Sequence, residues 1–135
     1  MNIRFYHCPI CGNIVVKITD SGRNLSCCGK EMVELVSKEM EEGNEKHLPF
    51  LSSVKDNILT VEIGEKPHPM EAEHHIQWVY LETEKGGQFV RLQPNDPPQV
   101  TFCCKKCHPV AIYAYCNVHG LWCVDFKKRY DECYY

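Results

Sequence analysis

No run of about 18 apolar residues occurs anywhere in the sequence, so a membrane-spanning helix is excluded. The start, Met1-Asn-Ile-Arg-Phe-Tyr-His-Cys8, lacks the apolar stretch and small-residue cleavage site of a secretory leader, and a cytoplasmic protein is expected. Positive charge is not in excess. Fifteen Lys+Arg against eighteen Asp+Glu leave a net charge of −3, which argues against a broad surface for nucleic-acid phosphates. There is no internal repeat, no low-complexity tract and no glycine-rich nucleotide loop. With 135 residues there is room for one modest domain and a small appendage, and nothing larger.

What the chain does have is ten cysteines and seven histidines. An even cysteine count fits a secreted disulfide scaffold, but such scaffolds follow a leader and are usually shorter. In a reducing compartment thiols stay free or bind metal, so cysteine spacing is first a matter of coordination.

Cys8-Pro-Ile-Cys11-Gly12 and Cys27-Cys28-Gly29 bracket the β-rich Ile14–Ile18 and the turn Asp20-Ser-Gly22-Arg. The expected unit is a hairpin whose two ends bring both cysteine pairs together. Such a segment has almost no core, and below about 40 residues a fold usually depends on a metal, a disulfide or a partner. Adjacent cysteines chelate less easily than a C-x-x-C pair, so a four-thiolate site built from these residues is expected to be distorted from a tetrahedron and unlike a zinc ribbon. Glu31 to Glu45 holds six glutamates and one lysine, with Met32, Leu35, Val36 and Met40 at roughly helical spacing. It is expected to be a connector, a short strand followed by a turn of helix with a solvated acidic face.

From Leu48 onward short β-rich runs alternate with turn residues. The expected strands are Val54–Ile63, His75–Glu82, Gln88–Leu92, Gln99–Phe102, Val110–Asn117 and Leu121–Phe126, with Lys85-Gly86-Gly87 closing a hairpin. Spacing of about ten residues predicts an all-β fold, a β-sandwich. Trp78, Tyr80 and Trp122 are expected to be core aromatics.

Histidine clusters recur at loops and strand edges of this region: Glu45-Lys46-His47-Leu-Pro49, Pro67-His68-Pro69-Met70, Glu73-His74-His75-Ile76 and Cys116-Asn-Val-His119-Gly120. Imidazoles with one thiolate suit iron better than hard cations, and loops at one end of a sandwich can converge. One mononuclear site is therefore expected.

These motifs resemble a known family. Cys8-x-x-Cys11-Gly with Cys27-Cys28-Gly-Lys30 is similar to desulforedoxin, and Glu45-Lys46-His47-x-Pro49, His68-Pro69-Met70, Glu73-His74-x-Ile76 and Cys116-Asn-x-His119-Gly120 are similar to superoxide reductase. In tandem, from Cys8 to Trp122, they resemble a desulfoferrodoxin. The resemblance implies a desulforedoxin-like metal-bound hairpin module over residues 1–37 and a neelaredoxin-like superoxide reductase domain over 38–135, an immunoglobulin-like antiparallel β-sandwich. It implies two irons per chain, one held by Cys8, Cys11, Cys27 and Cys28, the other by equatorial His47, His68, His74 and His119 with axial Cys116. Of the adjacent histidines the Glu-His-x-Ile pattern selects His74. The implied activity is reduction of superoxide to hydrogen peroxide without oxygen evolution, with Lys46 drawing the anion in and Glu45 closing the site once it is ferric. A rubredoxin as electron donor and a homodimer are also implied.

Two other classes stay open on the residues alone: a zinc-binding module for protein interaction, which leaves the four histidine motifs without a reason, and a pure electron carrier. Cys103, Cys104, Cys107, Cys123 and Cys133 lie outside the family pattern. They are read first as buried or incidental thiols, with Cys103-Cys104-x-x-Cys107-His108 also open to an extra metal or a redox role.

Overall fold

The computed structural model describes residues 3–39, 47–64 and 67–126, and the chain divides into two compact units, Met1–Val36 and Ser37–Tyr135. In the first, β1 (Phe5–His7) lies between β2 (Ile14–Val16) and β5 (Val33–Glu34) in an antiparallel sheet. A separate two-stranded ladder joins β3 (Ser26–Cys27) to β4 (Lys30–Glu31). The single hairpin expected from Ile14–Ile18 is thereby corrected. β2 pairs with β1, and the second cysteine pair sits on a hairpin of its own, because Cys28 and Gly29 both take left-handed backbone, φ 55° and 75°, and close a two-residue turn. The helical spacing of Met32, Leu35 and Val36 does not produce a helix: Val33–Glu34 is a strand bonded to β1, and Met40 lies outside the described residues. The unit buries little, chiefly Phe5, Cys8 and Met32, while Ile10, Ile18, Val33 and Val36 stay exposed.

Among the described residues the second unit has seven strands: β6 (Pro49–Lys55), β7 (Ile58–Ile63), β8 (Ile76–Thr83), β9 (Gly86–Arg91), β10 (Gln99–Cys103), β11 (Pro109–Cys116) and β12 (Gly120–Asp125). They form a three-stranded sheet, β10-β7-β6, and a four-stranded sheet, β12-β11-β8-β9, with every pairing antiparallel. Alternating residues supply the apolar layer between them. Leu59, Val61 and Ile63 of β7, Val100 and Phe102 of β10, Val79 and Leu81 of β8, and Ile112, Ala114 and Cys116 of β11 form one buried cluster. This is the expected all-β, immunoglobulin-like sandwich.

One expectation changes. Val54–Ile63 is two strands, because Asp56 and Asn57 have φ 53° and 66° and form a two-residue turn that folds β6 back on β7. Trp78, Tyr80 and Trp122 are buried, as expected of core aromatics; Trp78 and Tyr80 lie on the face of β8 opposite Val79 and Leu81. There Trp78 stacks on Tyr115 with ring centroids 5.4 Å apart, and Tyr80 packs 4.2 Å from Phe89. Gly87 leaves room for the Tyr80 ring, which a Cβ at that position would strike. Among the described residues no helix is long and apolar enough to cross a membrane.

Candidate metal centres

The first group is built from two turns. The Cys8 carbonyl accepts the Gly12 N–H at 3.0 Å, and Gly12 takes φ 81°, so residues 8–12 curl into a loop. Inside the loop the N–H groups of Ile10 and Cys11 each point at Cys8 Sγ from 3.4 Å. These donors stabilise the thiolate and draw the Cys8 pKa down to about 6, with the Cys11 N–H the leading cause. From the other side, the Cys28-Gly29 turn leaves Cys27 at the end of β3 and Cys28 at the turn's first central position. The four Sγ atoms lie within 4.8 Å of one another. Cys11 Sγ is 3.7 Å from Cys27 Sγ, which is 3.9 Å from Cys28 Sγ. A tetrahedron with metal–sulfur bonds of about 2.3 Å has edges of about 3.8 Å, so the spacing fits a four-thiolate metal site. Crowding by neighbouring sulfurs pushes the Cys28 thiol up to about 12, Cys11 contributing most, and raises Cys27 as well. Four thiols that cannot all ionise together without a cation are a site that a cation completes.

The second group gathers at one end of the sandwich. His47 precedes β6, His68 lies between β7 and β8, His74 precedes β8, and Cys116 and His119 stand at the end of β11 and in the turn to β12. Antiparallel order brings these strand ends to the same pole. Ring centroids are 4.7 Å apart for His47 and His68, 4.8 Å for His68 and His74, 5.0 Å for His74 and His119, and 4.6 Å for His119 and His47. The diagonal from His47 to His74 is 6.5 Å, the ratio of a square. His47 Nε2 lies 3.0 Å from His119 Nδ1. Adjacent corners of a square with metal–nitrogen bonds of about 2.1 Å are about 3.0 Å apart. Cys116 Sγ sits 3.8 Å from the same His119 Nδ1 and also accepts the His119 N–H.

The polar atoms fit a metal too. His68 donates Nδ1–H to the Pro69 carbonyl at 2.7 Å, which leaves Nε2 unprotonated and facing the group. Nε2 of His68 and Nε2 of His74 are buried and have no hydrogen-bond partner among the described residues, a costly arrangement unless a cation takes both lone pairs. Burial, with three neighbouring imidazoles, pushes the His68 pKa down to about 4 and keeps the ring neutral, as a ligand must be. His47 is stacked on Trp122 at 4.7 Å and 12°, which fixes its ring plane.

The structure therefore brings Cys8, Cys11, Cys27 and Cys28 into one group and His47, His68, His74, Cys116 and His119 into another. His75 is buried outside the second group, its neighbour His74 within it. Lys46 and Glu45 lie outside the described residues, as does Cys133. The extra metal cluster considered at Cys103, Cys104, Cys107 and His108 is not among the groups of potential ligands in the described residues; Cys104 and Cys107 are instead joined as a disulfide, so they are not free thiols. Cys123 is a buried thiol, pushed up to about 12 chiefly by desolvation.

Sequence reasoning missed the supports. Asn117 Oδ1 accepts the His75 N–H at 2.9 Å and Asn117 Nδ2 donates to the Glu73 carbonyl at 2.9 Å, tying the His74 loop to the Cys116 turn. Lys38 Nζ donates to the His119 carbonyl at 3.0 Å and lies 5.0 Å over the Trp122 ring. The Cys116-Asn117 pair was visible as a motif; the contacts of Lys38, 81 positions from His119, had no local signal.

Residues 39–125 match the Desulfoferrodoxin family, and residues 2–35 match the family described as Desulfoferrodoxin, N-terminal domain. The chain is 38% identical to a desulfoferrodoxin homolog of Methanothermobacter thermautotrophicus, over 88% of this chain and 95% of that one. It is 37% identical to a desulfoferrodoxin of Syntrophotalea carbinolica, over 89% and 94%. A superoxide reductase from Treponema pallidum superposes with a TM-score of 0.78 at 26% identity, covering 92% of this chain and 98% of that structure.

Proposed function

The chain belongs to the desulfoferrodoxin family, and from that membership we propose that it is a superoxide reductase that takes superoxide, one electron and two protons to hydrogen peroxide and evolves no oxygen. The observation that carries this reading is the square of four imidazoles with the Cys116 thiol beside it. Structural zinc prefers a closed tetrahedron, whereas four imidazoles with a soft thiolate suit a redox-active iron.

His47, His68, His74, His119 and Cys116 would hold this iron, and Cys8, Cys11, Cys27 and Cys28 a second. Held by the first of these groups, iron would supply the transferable electron, and the Cys116 thiolate would add electron density to it. The remaining work is done by the chain. His68 Nδ1 keeps its proton on the Pro69 carbonyl, so that ring stays neutral and oriented. The Trp122 ring holds His47 in plane, and Asn117 holds the two loops together. His119 is exposed, which supports access of a small anion from solvent to this pole. Lys46, next to His47 in sequence, draws that anion in, and Glu45 would offer a carboxylate to the bound metal.

Residues 1–37 and 38–135 act as the two modules, close to the observed division after Val36. A rubredoxin-class carrier delivers the electron in the cytoplasm. The working form is a homodimer, a reading supported by Ile10, Ile18, Val33 and Val36 exposed on a unit with little core of its own.

The test is iron and zinc per chain in anaerobically purified protein, followed by superoxide consumption by the parent and by Cys116→Ser. Two irons and a loss of superoxide reduction in Cys116→Ser are expected. Intact superoxide reduction in Cys116→Ser, or zinc with no iron after iron-replete growth, would end the assignment.

A further inference from the structure

The family motifs leave the loop between β10 and β11 unused, and it holds a second piece of sulfur chemistry. Cys104 and Cys107 are joined across a C-x-x-C span with Cα atoms 5.2 Å apart, an ordinary separation for a disulfide. They lie at the pole of the sandwich opposite the imidazole square, since β10 ends and β11 begins there, beside the Asp56-Asn57 turn. The backbone holds the loop from both sides: the Cys104 N–H donates to the Asn57 carbonyl at 2.6 Å, and Gln88 Nε2 donates to the Cys103 carbonyl at 2.7 Å. Both cysteines are half-buried, and the residues between them, Lys105 and Lys106, are exposed cations.

The two thiols differ. Cys104 packs against the sandwich core, whereas Cys107 stands between the exposed Lys106 and His108. The Lys105 and Lys106 ammonium groups next to Cys107 in the chain favour the thiolate, the form that reacts with peroxides and disulfides. Cys123 is walled in by the fold, and Cys116 belongs to the metal group. Among the described residues this loop is where a paired and solvent-reachable dithiol is found outside the metal groups.

We propose that Cys104 and Cys107 form a reversible dithiol–disulfide couple that hydrogen peroxide oxidises and an external dithiol restores. Cys107 sulfur attacks one peroxide oxygen and the O–O bond breaks. Cys107 becomes the sulfenic acid, and the leaving hydroxide takes a proton to give water. Cys104 sulfur then attacks the Cys107 sulfur, the S–S bond forms, the S–O bond breaks, and a second water leaves with the Cys104 proton. Two electrons pass from the two thiols to one peroxide. Thiol–disulfide exchange with a dithiol returns both electrons and both protons. The couple stands on the loop alone; only the idea that the chain makes its own oxidant rests on the proposed superoxide reductase activity.

The experiment uses the iron-loaded protein, reduced with dithiothreitol, desalted, exposed to equimolar hydrogen peroxide, alkylated with N-ethylmaleimide and digested with trypsin. Cleavage after Lys105 and Lys106 separates Cys104 from Cys107, so a cross-linked peptide reports their bond directly. We expect peroxide to convert the separate alkylated peptides into the linked one, dithiothreitol to reverse it, and Cys103→Ser to leave it unchanged. In Cys104→Ser, dimedone should capture the sulfenic acid on Cys107; in Cys107→Ser, labelling of Cys104 should be much weaker. The proposal fails if Cys104 and Cys107 stay alkylated after peroxide, if the link persists in dithiothreitol, or if zinc is retained by the reduced loop and lost in Cys104→Ser. Superoxide consumption measured on the same samples, including the Cys104→Ser/Cys107→Ser double variant, keeps its full rate whichever way the loop behaves, so the two readings fail separately.

Discussion

Asn117 is not a member of the ligand group, yet it spends both ends of its side-chain amide on backbone, one on His75 and one on Glu73, on either side of His74. Replacing it by alanine removes both bonds, each worth about 0.5–1.5 kcal/mol. Supports of this kind typically change metal affinity by about 10–100-fold. Asn117→Ala should therefore release iron from the second group to a chelator faster than the parent while the thiolate group keeps its own, read from the iron remaining in each site; equal release from both would remove Asn117 from this role. Cys123 carries a different residue-scale prediction. Its thiol is pushed up from 9.0 to about 12 by burial, so between those values the folded chain holds a proton that the unfolded chain has lost. Stability is then fully present below about pH 9 and falls as pH rises toward 12, and Tyr113, raised by the same burial, acts in the same direction. A melting series across this range should slope downward, and Cys123→Ala should flatten it, with a slope unchanged in the variant counting against the assignment. The ligands themselves were legible because each is a metal-binding residue type inside a short motif. Asn117 and Lys38 act through partners distant in sequence, which no local pattern encodes.

At the scale of elements, the turns decide more than the strands do. Alternation of Leu59, Val61 and Ile63 located the β7 segment, and continuous β-rich runs located β8, β11 and β12, which are buried over most of their length. The breaks are harder to see: Asp56-Asn57 carries no glycine to mark a turn inside the β-rich Val54–Ile63, yet both residues take left-handed backbone. The same device at Cys28-Gly29 sets the first metal group. A residue with a Cβ pays about 1–2 kcal/mol there, which Cys28 already bears and Gly29 avoids. Gly29→Val should open this turn, move Cys27 and Cys28 out of reach of Cys8 and Cys11, and cost the first iron. Iron per chain should fall from two toward one while superoxide consumption persists at the imidazole site; two irons with an unshifted melting midpoint would mean that the turn does not control the group.

For the whole molecule, the difficulty is electrostatic. A chain of net charge −3 repels a superoxide anion on average, so an efficient encounter depends on local positive charge at the pole that carries the imidazoles. Lys38 is held at that pole through the His119 carbonyl and the Trp122 ring, and Lys46 adjoins His47 in the chain. The two make separable contributions. Lys38 is fixed by a hydrogen bond and a ring contact, and its removal disturbs the His119 backbone as well as the field. Lys46 should act through charge alone. With a screening length of about 10 Å at 0.1 M salt, a steering charge near the site raises the bimolecular rate at low ionic strength and loses its influence as salt is added. Lys46→Ile is thus expected to slow superoxide reduction at low salt by roughly tenfold, the lower end of what steering provides, and to flatten the salt dependence, with both irons retained. Lys38→Met should also slow the reaction, but with weaker iron retention in the second group. Stopped-flow rates across a salt series for both variants separate the two effects. An unchanged low-salt rate in Lys46→Ile would assign the steering to Lys38 and leave Lys46 a solvated side chain.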